Sequence, residues 1–348
     1  MKRITTQQLW GSKAHPPKAN LVATLLATAL VGVVSAGIQT SAQTTSSPQT
    51  IKLGYQRGGG VFPVAQERGE LDKLLAAKNI KVEWSGPFDR CASLLQAIIT
   101  NNADIGGCGD IPTISALAAG QPLCIGRVIP PDPDDKRRRN TQVILVAKDS
   151  PIKSIADLVG KKVAINTGGA GEWLLLKALE VNNVPKDKVE RLNIAPPDAL
   201  PALVNGQVDA WAVWEPYNTI AELEHGAQRI PVDLPPLTYS VMVVGRDKAT
   251  QAPQAVEAAL NGLDQETTWM FQNPDKTADY MVKQLKISPV VAKKVIDLRG
   301  TYAGNLVKPS AEDIARIQTN ADWMLENKIL PKKLDVASTI CPSIKASN

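Results

Sequence analysis

One stretch of this chain is built twice, and that duplication restricts the available folds more than any other feature. Residues 94–121 read LLQAIITNNADIGGCGDIPTISALAAGQ, and residues 200–228 read LPALVNGQVDAWAVWEPYNTIAELEHGAQ. Each copy runs from an apolar-periodic helix through an Asn/Gly loop to a short strand opening on an aspartate, Asp104 or Asp209. An acidic residue beside a proline and a helix ending at glycine then follow, with Asp-to-Gly spans of 16 and 17 residues. Upstream of each copy lies a strand, a glycine-rich turn and a helix start: IKLGYQRGGGVFPVAQERG from Ile51 and KKVAINTGGAGEWLLLKALE from Lys161. Two lobes on one plan, each directing a glycine turn and an acidic helix start the same way, describe a ligand clamp.

The first 42 residues are expected to lie outside that fold. Lys2, Arg3, Lys13 and Lys18 precede an apolar run over 21–38, and the small residues Thr40, Ser41 and Ala42 follow, the three-part layout of a cleaved secretory signal. The nearest cysteine is Cys91, so no lipid-anchoring cysteine follows the run. A protein exported to the periplasm is expected, acting as a monomer. Residues 43–50 read as a Ser/Thr/Gln linker. Removing the signal takes four basic and no acidic residues, leaving 35 Lys and Arg against 34 Asp and Glu. Nucleic acid is then a poor partner, because phosphate tracking needs a clustered basic face. The one such cluster, 136–139, follows Asp132, Asp134 and Asp135 among prolines and reads as a solvated loop.

Four cysteines in an exported chain permit disulfides in three connectivities, among which spacing cannot choose. Cys91 with Cys108 and Cys124 with Cys341 are one candidate arrangement. His225 is the only histidine left after the signal, which argues against a His-built metal site and a His-centred triad. No metal and no cofactor is expected: neither glycine turn continues into Gly-Lys-Ser/Thr, so nucleotide hydrolysis has no support.

From Ile51 onward strands and helices alternate at the rhythm of parallel sheets with crossover helices, an α/β chain. Helices are predicted near 61–77, 92–101 and 112–119. Two β-rich runs, 141–148 and 239–244, are long enough to carry the chain from one lobe to the other and back. This predicts a discontinuous first lobe over 51–142 and 240–348, a second lobe over 143–239, and two hinge crossings. Each lobe is expected to hold a mostly parallel sheet flanked by helices, and only helical patterns follow residue 245.

The candidate site gathers at the strand-to-helix turns. Gly58 and Gly59 in one lobe, and Gly168, Gly169 and Gly171 in the other, let backbone approach a ligand, and first-turn N–H groups lack helical partners that an anion can replace. Gly109 and Asp110, and Glu215 beside Pro216, sit at two further helix starts, where the carboxylates cap the helix or hold a ligand amine. Trp214 ends a strand at the position from which side chains reach a crevice in parallel sheets, whereas Trp211 is expected in the core. Arg57, Arg90, Thr113 and Thr167 flank the same openings as charged or hydroxyl donors.

In combination, YQRGGG, GDIPTISALAAG, KDSPIKSIADLVGKKVAI and VDAWAVWEPY resemble the motifs of periplasmic solute-binding proteins of ABC importers for aliphatic sulfonates and taurine. Relatives in that superfamily bind nitrate, bicarbonate or thiamine precursors. The resemblance implies a type II, venus-flytrap fold that closes on a small anionic ligand and delivers it to an inner-membrane ABC permease. It also implies that the backbone near Gly58 and Gly59, the Gly109-Asp110 turn, the turn from Thr167 to Gly171 and the corner from Trp214 through Glu215 to Tyr217 line the site. The chain departs from the family where Ser/Ser and His are usual in the second lobe and Gly168, Gly169, Ala170, Gly171 and Glu172 stand instead. A Gly-Pro is usual where Phe88, Asp89, Arg90 and Cys91 stand. The rival reading is a lyase or hydrolase on the same scaffold, working through Asp110, Glu215 or a cysteine thiolate, against which stands the want of a partner histidine.

Overall fold

The computed structural model describes residues 47–57, 60–130, 141–232, 234, 238–299 and 306–342. The expected signal (1–42), the start of the linker, Gly58, Gly59 and the basic loop at 136–139 lie outside the described residues.

In chain order the first elements are β1 (Gln49–Gln56), α1 (Val61–Arg68), α2 (Glu70–Ala76), β2 (Ile80–Phe88), α3 (Cys91–Ile99), β3 (Ile105–Gly109), α4 (Asp110–Ala118) and β4 (Leu123–Ile129). There follow β5 (Gln142–Val146), β6 (Lys162–Ile165), α5 (Ala170–Val181), β7 (Glu190–Asn193), α6 (Pro196–Val204), β8 (Ala210–Trp214), α7 (Tyr217–His225) and β9 (Gln228–Ile230). The chain continues as β10 (Ser240–Gly245), α8 (Arg246–Gln251), α9 (Pro253–Gln272), α10 (Pro274–Leu285), α11 (Pro289–Arg299) and α12 (Ala311–Glu326).

The strands form two five-stranded sheets, ordered β2-β1-β3-β10-β4 and β7-β6-β8-β5-β9. The orders are the same plan: each sheet takes its own strands in the sequence second, first, third and fourth, and inserts one strand that arrives from the other sheet. The inserted strands, β10 and β5, are the antiparallel ones, bonded on both sides to strands running the other way. The neighbours β2, β1 and β3, like β7, β6 and β8, pair in parallel. The two-lobed α/β fold follows from the duplication read in the sequence.

The duplicated aspartates explain why the copies fold alike. Asp104 Oδ2 accepts the backbone N–H of Lys52 at 2.8 Å, and Asp209 Oδ2 accepts that of Lys162 at 2.8 Å. In return the N–H groups of Asp104 and Asp209 donate to the carbonyls of Lys52 and Lys162. Each aspartate thus aligns the start of the third strand of its lobe with the first, and sets the level at which both strands end beside the cleft.

Two expectations are corrected. The helix predicted over 61–77 is divided into α1 and α2 by Gly69, whose φ of 68° lies in the left-handed region and stops the first helix. The β-rich runs do not span the lobes: β5 lies wholly in the second sheet and β10 wholly in the first, so each strand completes a crossing made just before it. Edge-to-centre insertion explains the apolar composition that suggested a crossing, since β10 buries Val241, Met242, Val243 and Val244 between two neighbours.

The C-terminal helices tie the halves together. Cys124 and Cys341 are disulfide-bonded, and the N–H of Cys341 donates to Ile125 of β4. From α12, Trp323 packs edge-on against Trp173 of α5 with centroids 6.2 Å apart, and its indole N–H donates to Glu180 at 2.7 Å. Among the described residues no helix is long and apolar enough to cross a membrane.

Candidate functional site

Both sheets end their parallel strands at one cavity of about 300 Å³, within the range of small-molecule sites. From the first lobe it is lined by Gln56 at the end of β1, Gly60 and Val61 at the start of α1, and Gly109 at the start of α4. From the second it is lined by Asn166, Gly169, Ala170, Trp214 and Glu215. Thr141, Gln142, Thr238, Tyr239 and Ser240 close it where the chain passes between sheets, and Gln142 Nε2 donates to Thr238 Oγ1 at 3.0 Å, joining the two crossings.

The chemistry of this lining is donor-rich without a basic side chain among the residues named. Among the described residues no side chain caps the N-terminus of α1 or of α5, and Val61 and Ala170, at the positive ends of the two helix dipoles, line the cavity. Gln56 Nε2 donates to the carbonyl of Gly107 at 2.7 Å. Asn166 is buried, and its Oδ1 has no hydrogen-bond partner among the described residues. Such an atom is costly to bury unless something in the cavity completes it. Two uncapped helix starts, one from each lobe, suit an anion, whereas the Asn166 oxygen calls for a donor group on the solute or a water.

The predicted residues divide into three groups. Gly109, Gly169, Trp214 and Glu215 line the cavity. Trp214 is half-buried and Glu215 is buried, its Oε1 accepting from Asn218 Nδ2 at 2.7 Å and Thr219 Oγ1 at 2.9 Å.

A second group stands just behind the lining. Arg90 is the N-cap residue of α3, next to cavity-lining Cys91, and its Nε is buried without a hydrogen-bond partner among the described residues. Tyr217 packs against Trp211 and Trp214, with centroids 6.3 and 6.4 Å away. Burial pushes its phenol up to about 12, opposed by the positive charge of Arg57 and reinforced by Asp89. Arg57 is exposed, and its N–H donates to Phe88. First-lobe charges therefore act on a second-lobe tyrosine across the cleft. Gly168 belongs here too: its carbonyl accepts from Ser115 Oγ of α4 at 3.0 Å, a bond between the lobes.

The third group is structural. Asp110 is fully buried and outside the lining; its carboxylate accepts from Ile111 N–H at 2.9 Å and Asn320 Nδ2 at 2.9 Å, fastening α4 to α12. Burial pushes that carboxyl up to about 7, against the lowering effect of these hydrogen bonds. Gly171 is a packing glycine, because a Cβ there would lie 2.5 Å from the carbonyl oxygen of Ala212. Thr167 is exposed and gives its N–H to Asn193 Oδ1, and Thr113 is buried with its hydroxyl on the Gly109 carbonyl. Gly168 N–H is likewise occupied, by Glu172 Oε2 at 2.8 Å, while the other oxygen of Glu172 pairs with Arg191 at 2.9 Å. The N–H groups of Thr167 and Gly168 are thus both taken by side chains, and the cavity lining of this turn begins at Gly169 and Ala170. Trp211 is core, 1% exposed.

The cavity also includes residues the sequence reading did not single out. Gln56 and Asn166 had a signal: each is an amide two residues before the first glycine of its duplicated turn. Both cysteines of the Cys91–Cys108 disulfide form part of the wall. Phe62, Ile129, Met242, Met270 and Phe271 complete an apolar side. Among the described residues no group of three or more His, Cys, Asp or Glu side chains is placed to hold a metal ion.

The NMT1/THI5-like family profile matches residues 63–277, from the first turn of α1 into α10. The chain belongs to the NMT1/THI5-like family. A protein of Escherichia coli (strain K12) named for aliphatic sulfonate binding is 32% identical over 298 residues, covering 85% of this chain and 89% of that protein. The alkanesulfonate-binding protein SsuA from Xanthomonas axonopodis pv. citri, solved bound to MOPS, superposes with a TM-score of 0.75 at 26% identity, covering 85% of this chain and 99% of that one. The desulfurization enzyme DszB shares the fold at 16% identity with a TM-score of 0.60, over 85% of this chain and 98% of its own.

Proposed function

We propose that this chain is the extracytoplasmic solute-binding component of an ABC importer, capturing a sulfonate between its lobes and delivering it to the permease. One observation carries the reading: two uncapped helix starts, one from each lobe, open on a single cavity walled by Trp214. A sulfonate has three acceptor oxygens and remains ionised at any physiological pH, so it can take N–H groups from both lobes at once. Closure is favoured because those contacts are complete only when the lobes meet. The relatives named for sulfonate binding add weight to this ligand over nitrate, bicarbonate or a thiamine precursor.

Export fits the same reading. A cleaved signal over 1–42 would place residues 43–348 in the periplasm, an oxidising compartment in which the two disulfides persist. The lobe boundaries at 142 and 240, a monomeric state and a partnership with an inner-membrane permease belong to this proposal. An enzymatic role has less support. Cys91 and Cys108, the cysteines at the cavity, are bonded to each other and supply no thiolate, and Asp110 is fastened to Asn320 outside the lining.

A thermal-shift screen of residues 43–348 tests the proposal, with taurine, alkanesulfonates of increasing length, nitrate, bicarbonate and pyrimidine thiamine precursors. A ligand that binds the native state alone raises Tm. A rise selective for sulfonates is expected; a rise confined to another class would overturn the ligand, and turnover of a bound compound would overturn the carrier role.

A further inference from the structure

The apolar side of the cavity is more than a two-carbon sulfonate needs. Phe62 follows Val61 directly, so the wall begins at the first turn of α1, which lines the cavity. Gly107 of β3 makes the space for it: a Cβ there would lie 2.9 Å from Phe62 Cε2 and 3.5 Å from Met242 Cε, which places ring and thioether methyl side by side over a bare strand. Met242 is opposite Gly107 in the β10 to β3 pairing, so the position is set by register. From α9, Met270, only 5% exposed, and its half-buried neighbour Phe271 join the same wall, and the Cys91–Cys108 disulfide adds two more sulfur atoms.

Thioethers and a disulfide beside aromatic rings form a polarisable surface. Methionine sulfur makes favourable contacts with ring edges, and its unbranched chain adapts to ligand shape. Trp214 supplies a further ring from the second lobe. We infer that the solute carries a ring-sized apolar group, and that Phe62, Met242, Met270 and Phe271 select an arenesulfonate over short aminosulfonates such as taurine. This rests on the sulfonate reading above and specifies the tail it leaves open.

Isothermal titration of residues 43–348 with methanesulfonate, taurine, hexanesulfonate and benzenesulfonate tests it. Benzenesulfonate is expected to bind at least about tenfold more tightly than methanesulfonate or taurine, since each buried methylene equivalent strengthens binding about fourfold. It is also expected to bind more tightly than hexanesulfonate. In Phe271→Ala and Met270→Ala, with melting curves confirming the fold, the benzenesulfonate-to-methanesulfonate affinity ratio is expected to fall about tenfold. Taurine or methanesulfonate binding as tightly as benzenesulfonate, hexanesulfonate binding more tightly than it, or variants that leave the ratio unchanged would overturn this inference while leaving the sulfonate reading intact. Binding of no sulfonate of any size would overturn both.

Discussion

Ser115 and Gly168 are bonded across the cleft, hydroxyl to carbonyl, at 3.0 Å. Ser115 lies midway along α4 of the first lobe and Gly168 in the glycine turn of the second, so one hydrogen bond joins a first-lobe helix to the second-lobe turn. It belongs to the arrangement in which the lobes meet, and opening would break it. A net contribution of about 1 kcal/mol from such a bond shifts an open-to-closed equilibrium roughly fivefold. Ser115→Ala is therefore expected to enlarge the ligand-free radius of gyration in small-angle scattering and to weaken sulfonate affinity by no more than about fivefold. An unchanged radius and affinity would show that this bond does not bias closure.

Asp110 gives a pH dependence of definite sign. Its carboxyl is raised to about 7 by burial, above the ordinary aspartate value of about 4 expected in the unfolded chain. The folded state holds the proton more tightly. The associated stability is fully present below pH 4 and is lost as pH rises through 7. At pH 8 the buried charge costs on the order of a few kcal/mol. Asp110→Asn is expected to raise Tm relative to the native chain more at pH 8 than at pH 5; a difference that is flat across this window would contradict the assignment.

The two disulfides have separable consequences. Loop-closure entropy predicts about 3 kcal/mol for the bridge of sequence separation 17 and about 5 kcal/mol for that of 217. Replacing Cys124 and Cys341 by serine is thus expected to lower Tm more than replacing Cys91 and Cys108. The second pair lines the cavity, so its loss is expected also to weaken ligand binding, measured by titration at a temperature where both variants are folded. Equal affinities would remove the disulfide from the site.

Glu172 puts a buried negative charge beside the second-lobe helix start. It holds Gly168 N–H and Arg191 while standing in the first turn of α5, two residues beyond Ala170. Glu172→Gln retains the shape and removes a negative charge, so anion affinity is expected to rise two- to fivefold at low ionic strength, with the gain shrinking as salt is added. A fall in affinity would mean that Glu172 serves chiefly to hold the turn.

The duplication carried most of the fold into view, because Asp104 and Asp209, paired with Lys52 and Lys162, do the same local work in each lobe. Residues fixed by position along one strand or turn, such as Gly109, Gly169 and Trp214, were legible at the cavity for the same reason. Asp110, Gly171 and Thr167 were not, since their contacts to Asn320, Ala212 and Asn193 come from distant segments that no local pattern announces. Met270 and Phe271 were hidden differently: on α9 they read only as the apolar face of a helix, and tertiary packing turned that face toward the cavity.

On the proposed reading, N–H groups at the starts of α1 and α5 hold the anion between the lobes. Proline at the first helical position removes that N–H while suiting the helix backbone, so the decisive measurement is isothermal titration of a sulfonate into the native chain, Val61→Pro and Ala170→Pro. One site is expected in the native chain, with at least about tenfold weaker binding in each folded variant. Undiminished binding in both variants would contradict it.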